Sequence, residues 1–275
     1  NLVDKLKGLF DWSKVINFTV ESDPRRVDED RLLYNHKVCG ANRISFGMQD
    51  FDPNVQRRVN RIQPAELFKK ILTKEVRKAY KTIAFDLLIG QPGQTPETMA
   101  RTCDEMIELR PTLVQLSLMA YKPWVAKYQI KMLEEGPLPD FLDRKELLEV
   151  IHKKLNAAGY IRTGFECYSL PEDSMTKAFK EGTAHYGASG HQTGGRVNFV
   201  AVGSSSKGNL GDDYYSQSYY DLSSYKKCLD KGQFPTFRGK KLSKDDKIRQ
   251  HATQQFRSYF KIDFKNFEEK FKIKP

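Results

Sequence analysis

Cysteine is scarce in this chain and widely spread. Cys39, Cys103, Cys167 and Cys228 are each more than sixty residues from the next, with no CxxC or CxxxCxxC among them. That spacing supports neither a disulfide framework nor a local metal motif, so the four read as reduced thiols. No apolar run approaches the roughly 18 residues of a membrane span, and no membrane segment is expected. The full GxxxxGK[ST] arrangement is missing as well, which excludes a nucleoside-triphosphate loop. A shorter tract, Gly203 to Gly208, could still hold an anion through its backbone N–H groups. Acidic residues are sparse at one end: from Lys226 to Pro275 there are 15 Lys and Arg against 6 Asp and Glu, within a formal charge of +11 for the whole chain. Such a basic tail can meet an acidic ligand, an acidic partner, nucleic acid or only solvent.

What is present describes an α/β protein. Leu2, Val3, Leu6, Leu9 and Phe10 fall at helical spacing with no cap before them, so the chain is expected to be part of a longer protein that continues upstream. Strands are expected at Val15–Glu21, Arg43–Gln49, Thr82–Ile89 and Leu113–Tyr121, each alternating an apolar with a polar side. Helices are expected between them: Asp28 to Val38 closed by Gly40, Pro64 to Tyr80, and one capped by Thr95 with Pro96 in its first turn. Repeated strand–helix units of similar length imply parallel strands with right-handed crossovers. Pro123, Pro137 and Pro139 then break the rhythm, before a helix from Asp143 to Ala158 with a capping box at Asp143 and Glu146. Beyond Tyr160 the texture is that of loops over a smaller sheet, Gly187 to Gly195 being loop and Val197 to Val202 the clearest strand. Tyr214, Tyr215, Tyr219, Tyr220 and Tyr225 form a stretch suited to a packed interface or to stacking. A helical tail follows, carrying Ile248, Phe256, Tyr259, Phe260, Phe264 and Phe267.

By alternation, Glu21, Gln49, Asp86 and Tyr121 close four successive parallel strands on their polar sides. Side chains at the C-terminal ends of adjacent parallel strands point into one crevice, where two carboxylates and an amide suit a ligand bearing amines and hydroxyls. Asp86 is informative by itself, because a carboxylate within an apolar strand is costly unless paired or used.

Three segments carry a resemblance. Glu21-Ser22-Asp23-Pro24, the run GANRISFGMQDFDPNVQRRVNR from Gly40 to Arg61, and FDLLIGQPGQTPE from Phe85 to Glu97 resemble the radical SAM superfamily. Within it they resemble the oxygen-independent coproporphyrinogen III oxidase (dehydrogenase) family, with likeness running from about Val15 to Phe264. The resemblance implies the later strands of a partial (α/β)6 barrel over residues 1–125, a connecting and substrate-covering α+β domain over 126–242, and a basic helical tail over 243–275. It implies that Glu21, Gln49, Arg61 and Asp86 hold S-adenosyl-L-methionine, with weaker main-chain contacts at Lys122 and Lys207. It also implies a 4Fe-4S cluster on three cysteines of a CxxxCxxC motif, expected upstream of Asn1; no metal ligand or catalytic residue is assigned within the chain. The implied function is oxidative decarboxylation of coproporphyrinogen III to protoporphyrinogen IX in haem biosynthesis, through a 5'-deoxyadenosyl radical. The implied protein is a cytoplasmic or organellar-matrix monomer served by an electron-donor protein and independent of membranes and nucleic acid. A haem chaperone, a haem-degrading methyltransferase of the same superfamily and a non-catalytic basic scaffold are the alternatives. The segments Ala184 to Ala188 and Gly190 to Thr193 depart from the family pattern.

Overall fold

The structure, a computed structural model, describes residues 2–187, 190–194 and 198–273. Its contacts divide the chain into two compact units. One holds the residues up to Arg162 with Glu166–Thr176, the other Thr163–Phe165 with the chain from Lys177 onward. The divisions therefore fall near 162 and 176, whereas the sequence reading set them at 125 and 242.

The first unit begins with α1 (Leu2–Leu9) and β1 (Thr19–Ser22). Asp28 caps α2 (Glu29–Tyr34), which runs into a π-turn ended by Gly40 in the left-handed region. Then come β2 (Arg43–Gln49), α3 (Pro53–Arg58) capped by Asp52, α4 (Ala65–Ile71), and α5 (Lys74–Ala79) capped by Thr73. The single helix expected from Pro64 to Tyr80 is thus two, because Leu72 leaves helical backbone and the Thr73 hydroxyl accepts from the Val76 N–H to start a new one. β3 (Thr82–Ile89), α6 (Pro96–Leu109), β4 (Leu113–Leu118), α7 (Ile130–Glu134) and α8 (Phe141–Ala157) follow. A reciprocal capping box at Thr95 and Thr98 starts α6 as expected of Thr95; α8 is capped by Asp140 and Asp143, one turn earlier than the expected Asp143 and Glu146.

The sheet runs β1-β2-β3-β4, all parallel, and continues through β6 (Cys167–Ser169), antiparallel to β4, to β5 (Ile161–Gly164). Two expected strands are shorter than read: β1 begins at Thr19, not Val15, and β4 ends at Leu118, not Tyr121. Strand alternation holds as expected. Ile44, Phe46 and Met48 from β2, Ile83, Phe85, Leu87 and Ile89 from β3, and Val114 and Leu116 from β4 are buried in one cluster with Leu32, Phe68, Met99, Met106, Leu147 and Ile151 of the helices. Phe68 sits at its centre, 5.8 Å from Phe46 and 5.0 Å from Phe85 between ring centroids. Burial of each such side chain stabilises the unit by about 2 kcal/mol, so the face turned away from this cluster is free to be polar.

α9 (Ser174–Lys180) carries the chain into the second unit. There β7 (His185–Gly187) and β8 (Gly190–Gln192) pair antiparallel, where the sequence suggested loop; residues 188, 189 and 195 of that tract lie outside the described residues. β9 (Lys207–Leu210), β10 (Tyr214–Ser218) and β11 (Thr236–Lys241) form an antiparallel sheet with β10 central, and α10 (Leu222–Asp230) links the last two. The strand expected at 197–202 is not formed: Val197 lies outside the described residues, and of the rest only Phe199 bridges, to Asn209. α11 (Lys244–Tyr259) and α12 (Phe264–Phe271) complete the unit, as the aromatic spacing of the tail predicts. The Gly203 to Gly208 tract is partly closed as an anion cradle. Three of its N–H groups are already used, Gly203 N on the Tyr225 hydroxyl, Ser205 N on the Tyr219 carbonyl and Ser206 N on the Gly203 carbonyl.

Candidate functional site

The polar face of the parallel sheet carries the candidate site at its C-terminal end. Parallel register sets Glu21 of β1 beside Ser45 of β2 and Ser45 beside Ala84 of β3; Asp86 is the next residue of β3 on the same face. The Ser45 hydroxyl donates to Asp86 Oδ2 at 3.3 Å. Asp86 is half-buried, and burial first, then the nearby Glu21 charge, push its carboxyl up to about 6. Two carboxylates thus share one polar face on the strands either side of β2, with the Ser45 hydroxyl between them, an arrangement that gains stability from any cation or hydroxyl-bearing ligand placed against it.

Gln49 reaches the same end by a device that alternation alone does not reveal. Between Phe46 and Gln49 the register with β3 slips, so Gln49 pairs with Leu87, and its backbone takes a φ of +68°. Left-handed backbone costs a non-glycine residue of the order of 1 kcal/mol or more and clusters at functional sites. The consequence is that the Gln49 amide folds back over Gly47: a Cβ there would stand 2.7 Å from Gln49 Nε2 and 3.2 Å from Arg61 Nη2. Arg61 is fixed by donating Nη2 to the Gly47 carbonyl at 3.1 Å and Nε to Gln63 Oε1 at 3.1 Å. Burial, then the Arg25 charge, lower its proton affinity, and Asp23 opposes them. Asp23 itself is held down to about 2, chiefly by its hydrogen bond from Arg25, whose Nη2 lies 2.7 Å away. Gln49 and Arg61 also share a cavity of about 630 Å³ with Asn60, Leu88, Gln91 and Met119.

The structure therefore sets Glu21, near the end of β1, and Asp86, three residues before the end of β3, on one face of the sheet, and brings Gln49, the last residue of β2, to Arg61 in the loop after α3. Tyr121 is not part of it. β4 has ended three residues earlier, and no hydrogen bond or ring contact links Tyr121 to the other three residues. Lys122 is exposed; its N–H donates to Gln129 Oε1 at 2.6 Å and its carbonyl accepts from Val125 and Ala126, so its main chain is already engaged. Lys207 is an exposed residue of β9 in the second unit, in register with Gln217 of β10.

Several residues that support the site are not evident from the sequence. Asp50 is buried at the strand exit and accepts from Thr102 Oγ1 at 2.7 Å, Gln94 Nε2 at 2.7 Å and Asp52 N at 2.8 Å. Gln94 in turn accepts the Gly90 and Gln91 N–H groups, locking the turn after β3 to the turn after β2. The Gln56 side chain donates to the Gln63 carbonyl and accepts from the Gln63 N–H, and the Gln63 side chain donates to the Gly47 and Met48 carbonyls. The only signal in the sequence was a density of amides and acids after the second strand.

The cysteines do not assemble into a metal centre. Cys103 and Cys167 are buried, Cys39 and Cys228 half-buried, and burial pushes the Cys103 thiol up to about 12. Among the described residues no group of three or more His, Cys, Asp or Glu side chains could hold a metal ion. The described residues thus fit a polar organic ligand and do not fit an iron–sulfur cluster.

No protein-family profile matches the chain. It is 33% identical over 264 residues to the oxygen-independent coproporphyrinogen III oxidase of Helicobacter pylori, and 34% over 257 residues to that of Pseudomonas aeruginosa. These alignments cover 95% and 94% of this chain but 57% and 55% of the two relatives. The solved structure of Escherichia coli coproporphyrinogen III oxidase, a radical SAM enzyme, matches with a TM-score of 0.90 at 29% identity, over 99% of this chain and 62% of that one. The fold is that of the radical SAM class. Within that class the chain is a homologue of the oxygen-independent coproporphyrinogen III oxidases, and it spans a little over half the length of the relatives it matches.

Proposed function

We propose that this chain is the S-adenosyl-L-methionine-holding part of a radical SAM oxidoreductase that decarboxylates coproporphyrinogen III to protoporphyrinogen IX. The observation that carries this reading is the Glu21–Asp86 pair about Ser45 on the same face of the sheet on which Gln49 and Arg61 meet over Gly47. S-adenosyl-L-methionine bears an ammonium, a sulfonium and ribose hydroxyls, which answer two carboxylates; it also bears a carboxylate, which answers a guanidinium. Gln49 offers both a donor and an acceptor. Bringing a cation against Glu21 and Asp86 relieves their repulsion, so binding draws Asp86 to its charged form. When bound, S-adenosyl-L-methionine supplies the radical that takes a hydrogen from a propionate side chain of the substrate. The residues of this chain bind and orient the cofactor, while the cluster ligands belong to sequence outside the described residues.

Lys122 and Lys207 enter the proposal as lesser members, since main-chain groups at the first are already bonded and the second belongs to the other unit. The reading brings with it an electron-donor protein and a monomeric enzyme in the cytoplasm; among the described residues no helix is long and apolar enough to cross a membrane. Equilibrium dialysis of S-adenosyl-L-methionine against the full-length protein tests it. Asp86→Asn is expected to weaken binding roughly tenfold or more, the scale of one lost charge-assisted interaction. Unchanged affinity would remove the assignment.

A further inference from the structure

Arg58 is a half-buried cation whose guanidinium finds no acceptor in the protein: no hydrogen bond or ion pair joins it to any described residue. Its neighbours differ. Arg57 donates to the Pro53 carbonyl and to Asn54 Oδ1, and Arg61 to Gly47 and Gln63.

Yet the Arg58 side chain is confined. A Cβ at Gly93 would lie 2.9 Å from both its Cδ and its Nε, and a Cβ at Gly136 would lie 2.6 Å from its Nη1. Both glycines have positive φ, +86° and +130°, in the turns after β3 and α7. The Arg58 stem thus lies against Gly93 and its guanidinium against Gly136, two stretches of backbone that approach closely because neither carries a side chain there. It borders the 630 Å³ cavity of Gln49 and Arg61 on one side and a 390 Å³ cavity by Pro139 and Leu147 on the other. In the first, four cations, Arg57, Arg58, Arg61 and Lys131, stand against two acids, Glu134 and Glu135. A long side chain that has lost rotamer freedom without gaining a hydrogen bond is preorganised for a partner outside the protein, and the planar fork of arginine matches a carboxylate.

We infer that Arg58 anchors a carboxylate of the ligand that enters the cavity it shares with Gln49 and Arg61. The identity of that ligand rests on the function proposed above, under which the carboxylate is a propionate of the tetrapyrrole or the carboxylate of S-adenosyl-L-methionine. Full-length protein, wild type, Arg58→Gln and Arg58→Lys, is titrated with coproporphyrin III, with its tetramethyl ester and with S-adenosyl-L-methionine. Arg58→Gln is expected to lose about tenfold in affinity for one carboxylate ligand, with Arg58→Lys recovering part of it. A loss for coproporphyrin III with none for its ester assigns the propionate; a loss confined to S-adenosyl-L-methionine assigns the cofactor carboxylate. Equal affinities of wild type and Arg58→Gln for all three probes overturn the inference, as does an equal loss for acid and ester. Failure of the functional reading shows separately, as unchanged S-adenosyl-L-methionine binding by Asp86→Asn.

Discussion

The two ends of the polar face of the parallel sheet are built on opposite principles. At the N-terminal end Asp173, 2% exposed, accepts from the Thr82 hydroxyl at 2.9 Å, the Thr112 hydroxyl at 2.7 Å and the Met175 N–H at 2.8 Å. Arg43 beside it donates to Thr82 Oγ1 at 2.8 Å and to Ser174 Oγ at 2.7 Å. Every charge there has its complement within the protein. Four residues along β3 the situation reverses: Asp86 feels the Glu21 charge across β2, receives one long bond from Ser45, and its carboxyl is pushed up to about 6. The same strands therefore tie the sheet together at one end and leave unsatisfied polarity at the other. Strand ends that gain from a ligand are poorer at stabilising the empty fold, which is the usual division between the two faces of such architectures.

The sharpest way to break this contrast is at Asp173. Asp173→Ala strands two buried hydroxyls and an N–H, so denaturant unfolding of the protein is expected to show a loss of about 3 kcal/mol, with S-adenosyl-L-methionine affinity unaltered. A loss below about 1 kcal/mol would mean that this end is not the structural one.

Asp86→Asn is expected to do the reverse. Its carboxyl titrates near 3.8 when unfolded and about 6 when folded, so between those values the native state holds the proton more tightly and stability falls as pH rises. Above about 6 the whole penalty is present. The asparagine variant should therefore exceed the wild type by roughly 2 kcal/mol at neutral pH, and the gain should vanish below about pH 4. Stability curves of the two that coincide at every pH would contradict the raised carboxyl.

Gly47→Ala should give the smallest change. The new methyl displaces the flexible end of Gln49 more than any backbone, so stability shifts by less than about 1 kcal/mol while cofactor affinity drops several-fold. Affinity equal to the wild type would show that the Gln49 and Arg61 placement over Gly47 is dispensable.

The alternation of β2 and β3 was legible because an apolar residue at every second position has one solution when a face is buried, and it put Glu21 and Asp86 on the same side correctly. It failed past Met48, where one extra residue in β2 against β3 shifts the register and alternation ceases to report direction. Tyr121 was misplaced for a similar reason: alternation was carried three residues beyond the last paired one. The break between α4 and α5 was missed because the apolar period continues across Leu72 while the backbone does not. The amide lattice of Gln56, Gln63 and Gln94 was out of reach from spacing, since each of these side chains bonds backbone brought close only by the fold.

The chain of residues by itself determined the strand–helix order, the parallel sheet, the caps at Thr95 and Gly40, and the presence of acids on the polar side of two strands. These are local, set by side-chain size, periodicity and backbone freedom. Only the tertiary structure decided that burial and Glu21 would raise the Asp86 carboxyl, that Gln49 and Arg61 would close over Gly47, and that Arg58 would lie between two glycines far apart in sequence. Electrostatics and close contact depend on distances between residues that the sequence does not place side by side.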